Sequence, residues 1–153
     1  MGAEVEADAA RVGLHKALNN RATALPPLRA GPIHFVDPRA LPKGEAYEAF
    51  IDRTASVPTR NDRHDFFNGL AWLRHPTLKR RLNELQAAGI KRQAPGSGRG
   101  SLRDALTLFD ENAAILQAPS VLIDALRARD WAALFITYRT AWAEARIELF
   151  GHA

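Results

Sequence analysis

Proline and glycine interrupt this chain so often that no regular element can run far. The 153 residues include nine prolines and ten glycines. Breaks fall at Pro26-Pro27, Gly31, Asp37-Pro38, Val57-Pro58, Pro76, the stretch from Pro95 to Gly100, and Pro119. Proline lacks an amide hydrogen and clashes with the preceding helical turn, and glycine weakens helix and strand interiors. The segments between these points are therefore short elements that must pack on one another. Their apolar spacing reads mostly as helix.

Ala3 to Leu18 reads as a first helix, and Asn19 to Pro32 as loop. Ile33 to Val36 is a short strand candidate. Gly44 to Thr54 carries Tyr47, Phe50 and Ile51 at helical spacing. Asp62 to Leu73 follows, with Asp62 as N-cap and Asp65 at the return position of a capping box. Pro76 opens the next helix, which Leu78, Leu82 and Leu85 carry to a stop at Gly89. Leu106 to Phe109 and Ala113 to Leu116 read as a hairpin around Asp110-Glu111-Asn112. Pro119-Ser120 opens a helix to about Arg127, and Trp131 to Phe150 reads as a broad apolar last helix, buried on more than one side. Trp72, Trp131 and Trp142 fall on apolar stripes and read as core. The expected fold is a single α+β domain over 1–153, mostly helical, with one β-hairpin and room for a third strand.

Composition narrows the chemistry. The absence of cysteine removes thiol nucleophiles, disulfides, Fe–S clusters and thiolate zinc sites. The N-terminus is acidic and Ala-rich, unlike a secretory signal. The most apolar run, Trp131 to Tyr138, ends at Arg139, well short of a membrane span. These features predict a soluble, cytoplasmic protein with no membrane partner. The formal net charge is only +4, weak support for nucleic-acid binding.

The densest polar block runs from Thr59 to Asn68. His64 and Asn68 are four apart and share a helix face. Asp65 points about 100° away on a regular helix, so His64 and Asp65 are not expected to grip one ion. His64 is a candidate base or metal ligand, partnered by Asp104 or His152. The same residues also fit a purely structural role, capping a helix and tying it to a loop. Asp110-Glu111-Asn112 reads as a hairpin turn rather than a carboxylate pair. Gly96 to Ser101, with Arg99, could cradle a phosphate, although it lacks P-loop spacing and equally suits a linker. Lys79, Arg80 and Arg81 are consecutive and read as a solvated helix face. No His-Glu-x-x-His motif, nucleophile elbow or calcium loop is present.

From Phe35 onward the residues form a longer pattern. It runs through Gly44-Glu45-Ala46-Tyr47-Glu48, Val57-Pro58-Thr59-Arg60, His64-Asp65-x-Phe67-Asn68 and Trp72-Leu73. It continues in Pro76-x-x-Lys79, Arg99-Gly100, Arg103-Asp104-Ala105-Leu106-Thr107-Leu108-Phe109-Asp110-Glu111-Asn112 and Phe150-Gly151-His152-Ala153. This pattern resembles an uncharacterised bacterial family, domain of unknown function 3025, over residues 33–153. The resemblance brings no established activity. It implies that the two polar blocks and the Gly-His-Ala step belong together. It also departs from the family, with Ala113 where members have glycine and a chain that stops early at its C-terminus.

Three functions are therefore expected to compete. One is a polar pocket with metal-assisted hydrolase chemistry. Its catalytic residues would be His64, Asp104, Asn68 and Asp65, its substrate contacts Arg60, Arg99 and Arg103, and its divalent-metal ligands His64, Asp104 and His152. Another is phosphate or nucleic-acid binding through Lys79, Arg92, Arg99 and Arg103. The last is a non-catalytic interaction domain that self-associates through its apolar last helix.

Overall fold

The structure is a computed structural model that describes residues 1–93, 98 and 100–152. Much of the expected phosphate cradle, including Gly96, Ser97 and Arg99, lies outside the described residues. The described chain is a mostly helical α+β molecule whose residues cluster into two compact units. Unit 1 comprises Met1–Asn112 with Gly151 and His152, and unit 2 comprises Ala113–Phe150. No described helix is long and apolar enough to cross a membrane.

In unit 1, the expected first helix is two helices, α1 (Gly2–Val12) and α2 (Leu14–Ala22). They divide at Gly13, whose φ of 86° and ψ of 153° no helix interior accepts. β1 (His34–Val36) and β2 (Ser56–Pro58) form a parallel pair in which Phe35 lies opposite Val57. A parallel pair needs a long crossover, and the connection contains a 3₁₀ turn at Pro38–Ala40 and α3 (Tyr47–Thr54). The Asn19 side chain borders the strand, accepting from Phe35 N at 2.8 Å and donating to Phe35 O at 2.7 Å. Trp72, Phe35, Leu18, Ile51 and Val57 form the buried centre of this unit.

α4 (Arg63–Arg74) begins where the sequence places it, with the Asp62 carboxylate accepting from Asp65 N at 2.8 Å. α5 (Pro76–Arg92) runs straight through Gly89. That glycine makes room for a neighbour rather than a stop, since a Cβ there would lie 2.9 Å from Arg103 Cγ. α6 (Ser101–Glu111) replaces the first arm of the expected hairpin. Leu102, Leu106 and Phe109 recur at helical spacing, and Asp104 lies in the first turn, where the helix dipole favours a carboxylate. A short apolar run such as Leu106–Phe109 fits either element, and here the wider period decides it.

β3 (Asn112–Gln117) pairs with β4 (Arg146–Gly151), so the second arm of the hairpin is a strand with a different partner. Unit 2 also contains α7 (Ser120–Ala128). The expected last helix is absent. A π-helical turn at Ala133–Thr137, a 3₁₀ segment at Arg139–Glu144 and β4 take its place. The wide turn is closed by Tyr138 N donating to Ala133 O at 2.8 Å. Nor is this segment broadly buried. Its core is Leu122, Ala125 and Leu134, while Trp131, Phe135, Ile136, Ile147 and Leu149 are exposed. Trp131 is thus not a core residue, and Trp142 is half-buried with its indole N–H on Leu134 O.

Candidate functional site

Unit 1 encloses a cavity of about 390 Å³, within the range of small-ligand sites. Its walls come from α3, β2, α4, α5, α6 and His152. The apolar part includes Leu41, Ile51, Pro58, Trp72 and Leu82, and the polar part gathers residues far apart in sequence.

The first polar group is built around Asp65, which is buried in the first turn of α4. Arg60 grips it twice with its guanidinium, at 2.8 and 3.0 Å, and once with its backbone N–H at 2.6 Å. His64 Nδ1 lies 2.9 Å from Asp65 Oδ1. Burial alone would raise the Asp65 pKa, but the hydrogen bonds from Arg60 and His64 outweigh it and hold the carboxyl at about 2. The same pairing pushes the Arg60 guanidinium up. The expected separation of His64 from Asp65 therefore does not hold, because the imidazole reaches its neighbour's carboxylate at the start of the helix. Asp62, His64 and Asp65 even bring ligand-type atoms within 4.8 Å of one another. Arg60, 3.3 Å from Asp62, already supplies the positive charge that this acidic cluster would draw.

The second group lies on α5 and α6. Lys79 is not on a solvated face. Its side chain is 4% exposed, bonded to both Asp110 oxygens at 2.7 and 2.9 Å and set 5.6 Å from the Trp72 ring centre. Burial pushes its pKa down, and Asp110 opposes that shift. Asp110 thus ends a helix and pairs with a lysine instead of shaping a turn. Gln86 donates to Thr107 Oγ1 at 2.9 Å and ties the two helices together.

His152 joins the groups. Its ring stands edge-on to His64, with centroids 4.6 Å apart, and its Nδ1 lies 3.1 Å from the Asp110 carbonyl oxygen. Burial, then Lys79 and His64, push its pKa down against the pull of Asp110, which favours the neutral ring. Gly151 allows this placement. Its φ is 153°, and a Cβ there would lie 2.0 Å from Glu111 O. One turn along α4 from His64, Asn68 donates to the Tyr47 hydroxyl at 3.0 Å, and burial raises the Tyr47 pKa well above its usual value.

Of the residues singled out by sequence, the cavity brings together His64, Asp65, Asn68, Arg60 and His152. Asp104 is exposed and does not line it. Six residues further on, about 240° around the helix, Asp110 stands there instead. Arg103 lies outside the lining as well, donating to Gln86 at 3.3 Å and to Gln93 at 2.8 Å. Arg92 bonds the Ala88 carbonyl of its own helix. Tyr47, Asn83, Gln86 and Asp110 were not read as site residues, and Lys79 was read only as a phosphate or nucleic-acid contact. A signal existed on α5, where the buried stripe Lys79, Leu82, Asn83, Gln86 and Ala87 is largely polar.

A family model described as a protein of unknown function, DUF3025, matches residues 33–153. The chain belongs to that family. All the cavity-lining residues fall within the DUF3025 region. No curated protein and no solved structure matches the chain.

Proposed function

We propose that this DUF3025 cavity is the active site of a hydrolytic reaction on a small molecule, with His64 as general base or metal ligand. The observation that carries this reading is the Arg60–Asp65–His64 chain ending beside a second imidazole. A carboxylate and a carbonyl only accept hydrogen bonds. The Nδ1 atoms of His64 and His152 therefore face acceptors as N–H donors, which leaves the Nε2 atom of each ring as the position for proton transfer or ligation. Nitrogen atoms fixed through an oxygen partner suit either proton transfer or ligation of one divalent ion.

Charge favours the ion. Arg60 and Lys79 face Glu48, Asp65, Asp110 and Glu111 around the cavity, a formal balance of −2 with neutral imidazoles. A bound divalent cation would supply a water of lowered pKa. In this arrangement His64 and His152 hold it, Asp65 fixes the His64 tautomer, Arg60 fixes Asp65, and Asn68 ties α4 to α3 through Tyr47.

Metal content of the purified chain tests the reading, alongside His64→Ala, His152→Ala and a panel of small ester and amide substrates. Stoichiometric Zn, Mn or Fe that both variants lose, with turnover lost in parallel, supports it. No metal and no turnover, with His64→Ala merely less stable, makes His64 scaffolding.

A second reading, a non-catalytic interaction domain, draws on the exposed Trp131, Phe135, Ile136, Ile147 and Leu149 of unit 2. Concentration-dependent mass by light scattering supports self-association through them, and a monomer across the range ends it. The basic residues favour nucleic acid less, since Lys79 is buried and Arg103 is engaged.

A further inference from the structure

Buried polar groups in folded proteins find hydrogen-bond partners, so each exception calls for a physical reason. Among the described residues, three buried side-chain polar atoms have none: Asn68 Oδ1, Trp72 Nε1 and Arg80 Nε. Asn68 and Trp72 both line the cavity. They stand four residues apart on α4, which places them on one face a single turn apart. Asn68 Oδ1 is an acceptor and Trp72 Nε1 a donor. The residues are 5% and 1% exposed, so bulk water does not serve them. As placed, the Asn68 amide donates its Nδ2 to the Tyr47 hydroxyl and leaves Oδ1 as its unpartnered acceptor.

The charged lining shows what the missing partner is not. Arg60 is paired with Asp65 and Asp62, and Lys79 with both oxygens of Asp110. Glu48 and Glu111 add negative charge to the same lining. An anionic ligand would find both described cations of the lining engaged and the surrounding field repulsive. A cationic end would suit the carboxylates but would leave Trp72 Nε1 facing another donor.

We propose that Asn68 Oδ1 and Trp72 Nε1–H form a recognition pair for the uncharged polar end of a small ligand. That end is a hydroxyl or a carboxamide, which donates to Asn68 and accepts from Trp72 at once. Leu41, Ile51 and Pro58 supply apolar contact for the rest of the molecule. This names the ligand class of the cavity proposed above as the active site. It requires neither the metal nor the hydrolysis.

The test is the indole N–H signal of Trp72 in ¹H–¹⁵N spectra of the full chain. The chain has three tryptophans, and loss of one indole peak in Trp72→Phe assigns the signal. The probes share a four-carbon frame: butan-1-ol, butanamide, butanoate and butylammonium. Saturable movement of the Trp72 peak by the alcohol or the amide, and not by butanoate, is expected, and the tighter of the two identifies the group. Asn68→Leu should weaken that probe by about tenfold, the size of one lost hydrogen bond. A Trp72 peak unmoved by both neutral probes overturns the proposal, and so does the absence of movement in any of the three indole peaks if no variant folds. So does equal movement by butanoate, or a nuclear Overhauser contact from a bound water with no response to any probe. Fragment binding without turnover sinks the hydrolytic reading alone, because the indole signal depends on neither metal nor reaction.

Discussion

Unit 1 buries Thr59, Asp65, Asn68, Lys79, Asn83 and Gln86 among large apolar side chains, whereas unit 2, among the described residues, buries no polar side chain and only four apolar ones, Leu122, Ala125, Leu134 and Phe150. Unit 2 does the reverse at its surface, where Ile136 and Leu149 are 77% and 81% exposed. Burying polar groups costs free energy unless each is paired. Unit 1 meets most of that cost with partners and carries the rest on a larger core. Exposed apolar groups forgo stabilisation that a longer core would supply. The contrast separates a region built to hold chemistry from one whose surface suits a partner.

The sharpest way to break this contrast is to remove one partner from the buried ion pair. Asp110→Ala leaves the Lys79 ammonium without its carboxylate and should cost about 3–5 kcal/mol in urea unfolding. Replacing both, as Lys79→Met with Asp110→Leu, should cost far less, because no unpaired charge remains. If the two variants lose the same stability, the pair is not what makes unit 1 sensitive.

Leu134→Ala should cost about 2–3 kcal/mol, since it removes one of the three buried residues of the small core. Hydrogen exchange should then rise in residues 113–150 and stay unchanged in α2 and α4. Uniform loss of protection would show one cooperative unit where the contact pattern draws two.

Asp65→Asn should cost about 2 kcal/mol at pH 7. The Asp65 pKa is depressed from 3.8 to about 2. The native state therefore binds its proton more weakly than the unfolded chain does. The stabilisation is present above pH 4 and is lost as pH falls toward 2. Asp65→Asn should flatten that part of the stability curve. A curve that keeps its acid slope would assign the loss to other carboxylates.

The smallest effect belongs to the surface of unit 2. Ile136→Ser combined with Leu149→Ser should change stability by no more than about 0.5 kcal/mol per site. A larger loss would mean that these side chains are buried in solution, in a second copy or a partner.

How much of this was legible in the sequence depended on distance along the chain. The Asp62 cap and the shared face of His64 and Asn68 rest on spacing within one turn, whereas the His64–Asp65 contact went against the spacing, because the imidazole reaches its neighbour's carboxylate at the start of the helix. Lys79 was misread because three consecutive basic residues suggest a solvated face. Only the Asp110 carboxylate, 31 residues away, makes its burial tolerable. Asp104 and Asp110 exchanged roles because a short apolar run was assigned period two instead of 3.6, which turned a helix face into a hairpin. The last segment was misassigned for a related reason. Its apolar residues at helical spacing do not stay on one buried face, and the chain opens a π turn at Ala133–Thr137 before entering a strand.

His152 has a further consequence, in time rather than space. Every other residue around the cavity has been synthesised by Glu111, and His152 follows 41 positions later. At about 5–20 residues per second, a ribosome leaves the pocket without its second imidazole for roughly 2–8 s. During that interval the Arg60–Asp65–His64 chain can already form from local sequence. The nascent molecule therefore gains its half-built site before it gains the two-imidazole one, and whatever the finished pocket does must wait for the residue that arrives last.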